Sequence, residues 1–138
     1  MTAFEDVKEF HTDFDLLINK IPTLPDKDTI KLRWELIEEE MAELRDELID
    51  AYYLDIPEER QKLLLTKVAK EAADLIYVLN GMAVSFGIDM DKVFAEVHRS
   101  NMTKKTKDGK ILRREDGKVI KPDTYEPANI EGVLYGNN

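Results

Sequence analysis

Ile30, Trp34, Ile37, Met41, Leu44, Leu48 and Ala51 follow one another at alternating steps of four and three residues. That rhythm lays one narrow apolar stripe along a long helix and leaves its other faces charged, as in a coiled-coil seam. A strand cannot use it, because side chains there alternate with a period of two. Asp28 or Thr29 is suited to cap this helix, which should run to about Tyr53. A second long helix is expected from Pro57 to about Ser85, striped by Leu64, Val68, Ala72, Leu75, Leu79 and Met82 and closed by Gly87.

Shorter elements flank this pair. Thr2 can cap a helix over residues 2–20 carrying Phe4, Val7, Phe10, Phe14 and Leu17, which Pro22 and Pro25 would end. Asp89 opens a fourth helix with Val93, Phe94 and Val97. From about Asn101 the helical period is lost. The DGK triplets at 108–110 and 116–118 predict two turns flanking a short hairpin over residues 111–115. An unstriped segment of this length should be disordered or draped over a partner. The expected fold is therefore all-α, with about four helices in a single domain over residues 1–138. Its helical core would span about 2–100 and an irregular C-terminal arm about 101–138. Trp34 is placed in the core. Two long helices with one narrow stripe each need neighbours on several sides, which predicts a homodimer or homotetramer.

Charge narrows the partners. The chain has 20 Lys and Arg against 29 Asp and Glu, a net charge of −9. Phosphate backbones and anionic membrane surfaces both demand a basic face, so neither nucleic acid nor membrane is expected as a partner. There is no cysteine, hence no thiolate nucleophile and no Cys-bound zinc. His11 and His98 are not spaced as zinc ligands and should lie on the surface. The opening residues mix charged and apolar side chains unlike a signal peptide, and the expected location is the cytoplasm.

The acids themselves are patterned. Glu39, Glu40 and Glu43 fall within an arc of about 100° beside the first seam, and Glu71 and Asp74 share one edge of the next helix. If the two stripes pack together, five carboxylates meet at the border of the core. Crowded like charges there require protons or cations, and Mg²⁺ prefers such hard oxygen donors. Spacing alone also allows the commoner outcome, a solvated acidic face.

At these residues the chain resembles the all-α nucleoside triphosphate pyrophosphohydrolases. These are the MazG-like and phosphoribosyl-ATP pyrophosphohydrolase-like superfamily, and the likeness is closest to the dimeric MazG-like dUTPases. The family signature is EExxE on one helix and ExxD on the next. Here it reads Glu39-Glu40-Met41-Ala42-Glu43 and, after 27 residues, Glu71-Ala72-Ala73-Asp74. The stretch from Asp74 to Lys104, ending in SNMTK, is similar to the helix–Gly–helix–SNxxK stretch of small bacterial members, and the likeness covers about residues 28–125.

The resemblance implies hydrolysis between the α and β phosphates, giving a nucleoside monophosphate and pyrophosphate, with Mg²⁺ or, in its place, Mn²⁺. It implies Glu40, Glu43, Glu71 and Asp74 as metal ligands, with Glu39 a further ligand or a support. One of Glu39 and Glu40 would orient the attacking water or take its proton. Asn101 and Lys104 match substrate-binding positions, and Lys121 is a looser candidate. Tyr77, three residues after Asp74, either walls the sugar pocket or packs. The implied substrate is dUTP or a related deoxynucleotide. Phosphoribosyl-ATP is an alternative substrate, and a non-catalytic acidic oligomerisation module an alternative role.

Overall fold

The computed structural model describes residues 1–136. It contains α1 (Ala3–Asp13), α2 (Lys27–Tyr53), α3 (Glu58–Phe86), α4 (Met90–Met102) and α5 (Ile130–Tyr135). Two isolated antiparallel bridges are the only extended pairing among the described residues, so the fold is all-α. Tertiary contacts divide the chain into two units, Met1–Ile88 and residue 89 onward. The division falls before α4, so that helix groups with the C-terminal arm and not with the long helices.

In the first unit side chains cap the starts of α1 and α2. The Thr2 hydroxyl accepts the Glu5 amide at 3.1 Å while the Glu5 carboxylate accepts the Thr2 amide at 2.9 Å, a reciprocal cap. α2 begins earlier than Asp28, because the Asp26 carboxylate accepts the Thr29 amide at 2.7 Å. Such a cap stabilises a helix by about 1 kcal/mol. α1 ends at Asp13, well short of residue 20. Asp15 takes a left-handed φ of 56° and the Leu16 amide donates back to the His11 carbonyl, which closes the helix before the prolines are reached. The connection then runs over the end of α3: Asn19 donates to the Val84 and Ser85 carbonyls, and Thr23 to that of Phe86. Gly87 has φ 71°, and a Cβ there would stand 1.9 Å from the Ile21 carbonyl oxygen, so only glycine fits.

α2 and α3 pack along much of their length, but not on the whole predicted seam. Ile30, Ile37 and Leu44 are half-buried together with Glu40 and Glu47, while Trp34, Met41 and Leu48 are 59%, 54% and 50% exposed. The alternating stripe thus splits lengthwise, one row facing α3 and the other uncovered. Trp34 is not a core residue of the single chain. Val7, Ala83 and Val84 are the fully buried apolar side chains among the described residues, a small interior for two long helices. His98 is exposed as expected, but His11 is buried, its Nδ1 held 2.9 Å from the Leu17 carbonyl oxygen.

In the second unit the arm is folded against α4. Ser100 donates to the Glu126 carbonyl at 2.6 Å, Thr124 to the Thr103 and Lys105 carbonyls at 3.1 Å, and the Glu126 amide to the Thr103 hydroxyl at 2.8 Å. Each DGK triplet is the tip of its own turn, bridged by Lys105–Ile111 and Arg113–Val119. Residues 111–115 therefore link two turns and do not form one hairpin. α5 has no stripe to announce it; the Asn129 side chain, accepting the Gly132 amide at 2.9 Å, starts it. Among the described residues no single helix is long and apolar enough to cross a membrane.

Candidate metal centre

The packing of α2 on α3 brings four acids together. Glu40, Glu43, Glu71 and Asp74 each present a carboxylate oxygen, and all four atoms lie within 4.8 Å of one another. Three of the four residues are half-buried, and Glu43 is exposed. On each helix the spacing of three residues puts both acids on one edge, and the half-buried row of the α2 seam turns those edges toward each other.

The cluster is short of positive charge. Lys70, one turn before Asp74 on α3, donates to the Asp74 carboxylate at 2.5 Å, and that contact raises the lysine pKa. The Glu43 carboxylate stands against that of Glu71 across the helix pair, and this contact, with partial burial and the neighbouring negative charge, raises the pKa of Glu71. One oxygen of Glu40 and one of Glu71 are enclosed with no hydrogen-bond partner. Enclosed acceptors without donors are unfavourable unless a cation reaches them. The donors are hard oxygens, and with all four atoms within 4.8 Å of one another they are close enough to share one divalent ion. On these grounds the four residues fit a divalent metal.

The other residues singled out in the sequence fall elsewhere. Glu39 is exposed and stands outside the four-carboxylate group. Tyr77 is 41% exposed and meets Phe10 edge to face, ring centres 5.7 Å apart, so it packs against α1. Asn101, exposed in the last turn of α4, belongs to the second unit, as do Lys104 and Lys121. Both ammonium groups lie over the Tyr125 ring, Lys104 at 5.9 Å and Lys121 at 5.0 Å from its centre. Arg99 is tied to Glu96 at 2.9 Å and Glu126 at 3.0 Å. Spacing marks neither Tyr125 nor Arg33, a buried cation on α2; only the tertiary structure shows them.

Residues 7–101 match the family model described as phosphoribosyl-ATP pyrophosphohydrolase. No curated protein matches the chain. The matched span contains all four clustered carboxylates and Asn101, and that family is metal-dependent in general. The chain belongs to the phosphoribosyl-ATP pyrophosphohydrolase family, within the all-α MazG-like pyrophosphohydrolases, hydrolases of phosphoric anhydrides.

Proposed function

We propose that this protein hydrolyses a nucleoside triphosphate between its α and β phosphates, releasing the monophosphate and pyrophosphate, with dUTP or a related deoxynucleotide as substrate. The observation that carries the reading is the four-carboxylate group, with two enclosed oxygens lacking partners and Lys70 as the cation paired with it. Glu40, Glu43, Glu71 and Asp74 hold Mg²⁺, or Mn²⁺ in its place. A cation held by these residues would supply charge neutralisation on the phosphates and so favour attack at the α-phosphorus.

The remaining roles fall to the chain's own side chains. Glu39 and Glu40 are the pair from which the attacking water finds its proton acceptor. Asn101 donates a carboxamide N–H to the polyphosphate, and Lys104 and Lys121 supply point charges. Arg99 is already neutralised by Glu96 and Glu126 and is not assigned to the phosphates. Tyr77 packs on Phe10 and is not assigned to the sugar.

The uncovered row of Trp34, Met41 and Leu48 supports a homodimer or homotetramer in which a second copy covers it. The reaction suits the nucleotide pool of the cytoplasm, and neither nucleic acid nor membrane is a partner. The family match favours a second reading, phosphoribosyl-ATP as substrate. A substrate panel with pyrophosphate detection, run with Mg²⁺ and with chelator, tests both. Metal-dependent release from dUTP supports the first, and release from phosphoribosyl-ATP alone supports the second. No metal-dependent release from any member of the panel overturns the enzymatic reading in favour of a non-catalytic module.

A further inference from the structure

Two turns along α2 from the carboxylates lies a cation that the hydrolytic chemistry does not use. Arg33 is 7% exposed, and its Nε is enclosed without an acceptor. Burial lowers its pKa, and no carboxylate acts to restore it. A guanidinium in that state destabilises the fold unless an acceptor reaches it.

Its surroundings do not neutralise it. A carbonyl oxygen can only accept, so the His11 Nδ1 facing Leu17 carries the proton and Nε2 of the neutral ring is an acceptor. Burial, then the carbonyl contact working against it, then the charge of Arg33 set the His11 pKa, and the net shift is downward. A Cβ built on Gly81 would stand 2.9 Å from Arg33 Nη1 and 3.4 Å from His11 Nε2, so the guanidinium and the ring pack directly on the bare Gly81 backbone, and a side chain there would have to displace Nη1. The neutral ring offers no negative charge, and the enclosed Nε keeps no acceptor.

The position matters as much as the chemistry. Arg33 precedes Glu40 by seven residues and Gly81 follows Asp74 by seven, so the guanidinium sits between the same two helices as the carboxylates. Two turns amount to ~10 Å, the reach of a nucleoside from its 5′ phosphate to the far edge of its base. The geometry points to Arg33 as a specificity-determining residue of this site, donating to the carbonyl oxygen at C4 of a pyrimidine or C6 of a purine. It selects nucleotides of keto bases (uracil, thymine, guanine) over those of amino bases (adenine, cytosine). An exocyclic amine at the same place meets the guanidinium donor to donor. The inference rests on the pyrophosphohydrolase reading for what the site holds, but it can fail separately.

Calorimetric binding of dUMP and dCMP to the full chain needs no turnover and decides it. The expected result is dUMP tighter by about 10- to 100-fold, the range of one good base contact. Arg33→Met should remove that preference while melting no lower than wild type, since an unpaired buried charge is gone. Gly81→Ala, which displaces Nη1 and keeps the guanidinium charge, should reduce it as well. Equal binding of the two nucleotides, binding of neither, or a preference that survives Arg33→Met overturns the inference. Failure of the wild type to cleave any triphosphate with Mg²⁺ refutes the enzymatic reading instead, and the monophosphate result still decides the role of Arg33.

Discussion

Glu96 on α4 accepts from both Nε and Nη2 of Arg99 at 2.9 Å, and its other contact is the Asn129 amide at 3.0 Å. On α2 and α3, Glu40 and Glu71 each keep an enclosed oxygen with no donor at all. The residue type is the same, yet one carboxylate is a finished piece of structure and the others are open. The consequences for protonation diverge too. The Arg99 fork, with the Asn129 amide, holds Glu96 down at about 2, whereas contact with Glu43 raises Glu71. A carboxylate that completes its own hydrogen bonds fixes a fold, as Glu96 ties α4 to the start of α5. One that does not is available to a ligand.

Breaking the open cluster should have the largest effect. Glu43→Gln with Asp74→Asn removes two of the four donors, and turnover should fall by about a thousandfold or more, as expected where a bound cation supplies several kcal/mol. Steady-state pyrophosphate release measures this, with circular dichroism to show that the helices persist. Glu96→Gln should leave the turnover within a few-fold of wild type and lower the melting temperature instead.

Metal addition sharpens the contrast next. A saturating divalent cation at a hundred times its dissociation constant should stabilise the fold by about 2.7 kcal/mol, read as a rise in melting temperature that chelator reverses. The rise should vanish in the double variant and survive Glu96→Gln.

Acid should act in the opposite order. Glu96 binds its proton more weakly folded than unfolded, so its contribution is present above the ordinary carboxylate value of 4.5 and is lost as pH falls toward about 2. His11 is likewise lowered, by burial first, so its contribution begins to fade as pH drops below 6.5. Melting temperature against pH should therefore show an early decline that His11→Gln flattens and a later one that Glu96→Gln flattens. The smallest effect is expected at Lys70. Its ammonium is exposed and competes with an incoming cation for Asp74, so Lys70→Met should tighten divalent binding a few-fold by calorimetry.

The chain's pattern carried most of this arrangement. Period fixed α2 and α3, because two long stripes of four- and three-residue steps have no other use. The EExxE and ExxD spacings marked the four carboxylates that the helix pair brings together. Spacing could not say which half of the seam would face α3: Trp34 and Ile37 read alike in sequence, and only the packing exposes one of them. The burial of His11 depends on a left-handed Asp15 that turns the chain back over it, a conformation with no marker in its neighbours. α5 rests on one Asn129 cap and contacts with α4, and six residues are too few to display a period.

The central claim is that the four acids on α2 and α3 share a divalent cation. Anomalous diffraction from crystals grown with Mn²⁺ tests it most directly. Peaks lying among the Glu40, Glu43, Glu71 and Asp74 carboxylates are the predicted result. A protein that cleaves triphosphates in Mn²⁺ while its crystals show no peak there, with those side chains turned into solvent, would contradict it.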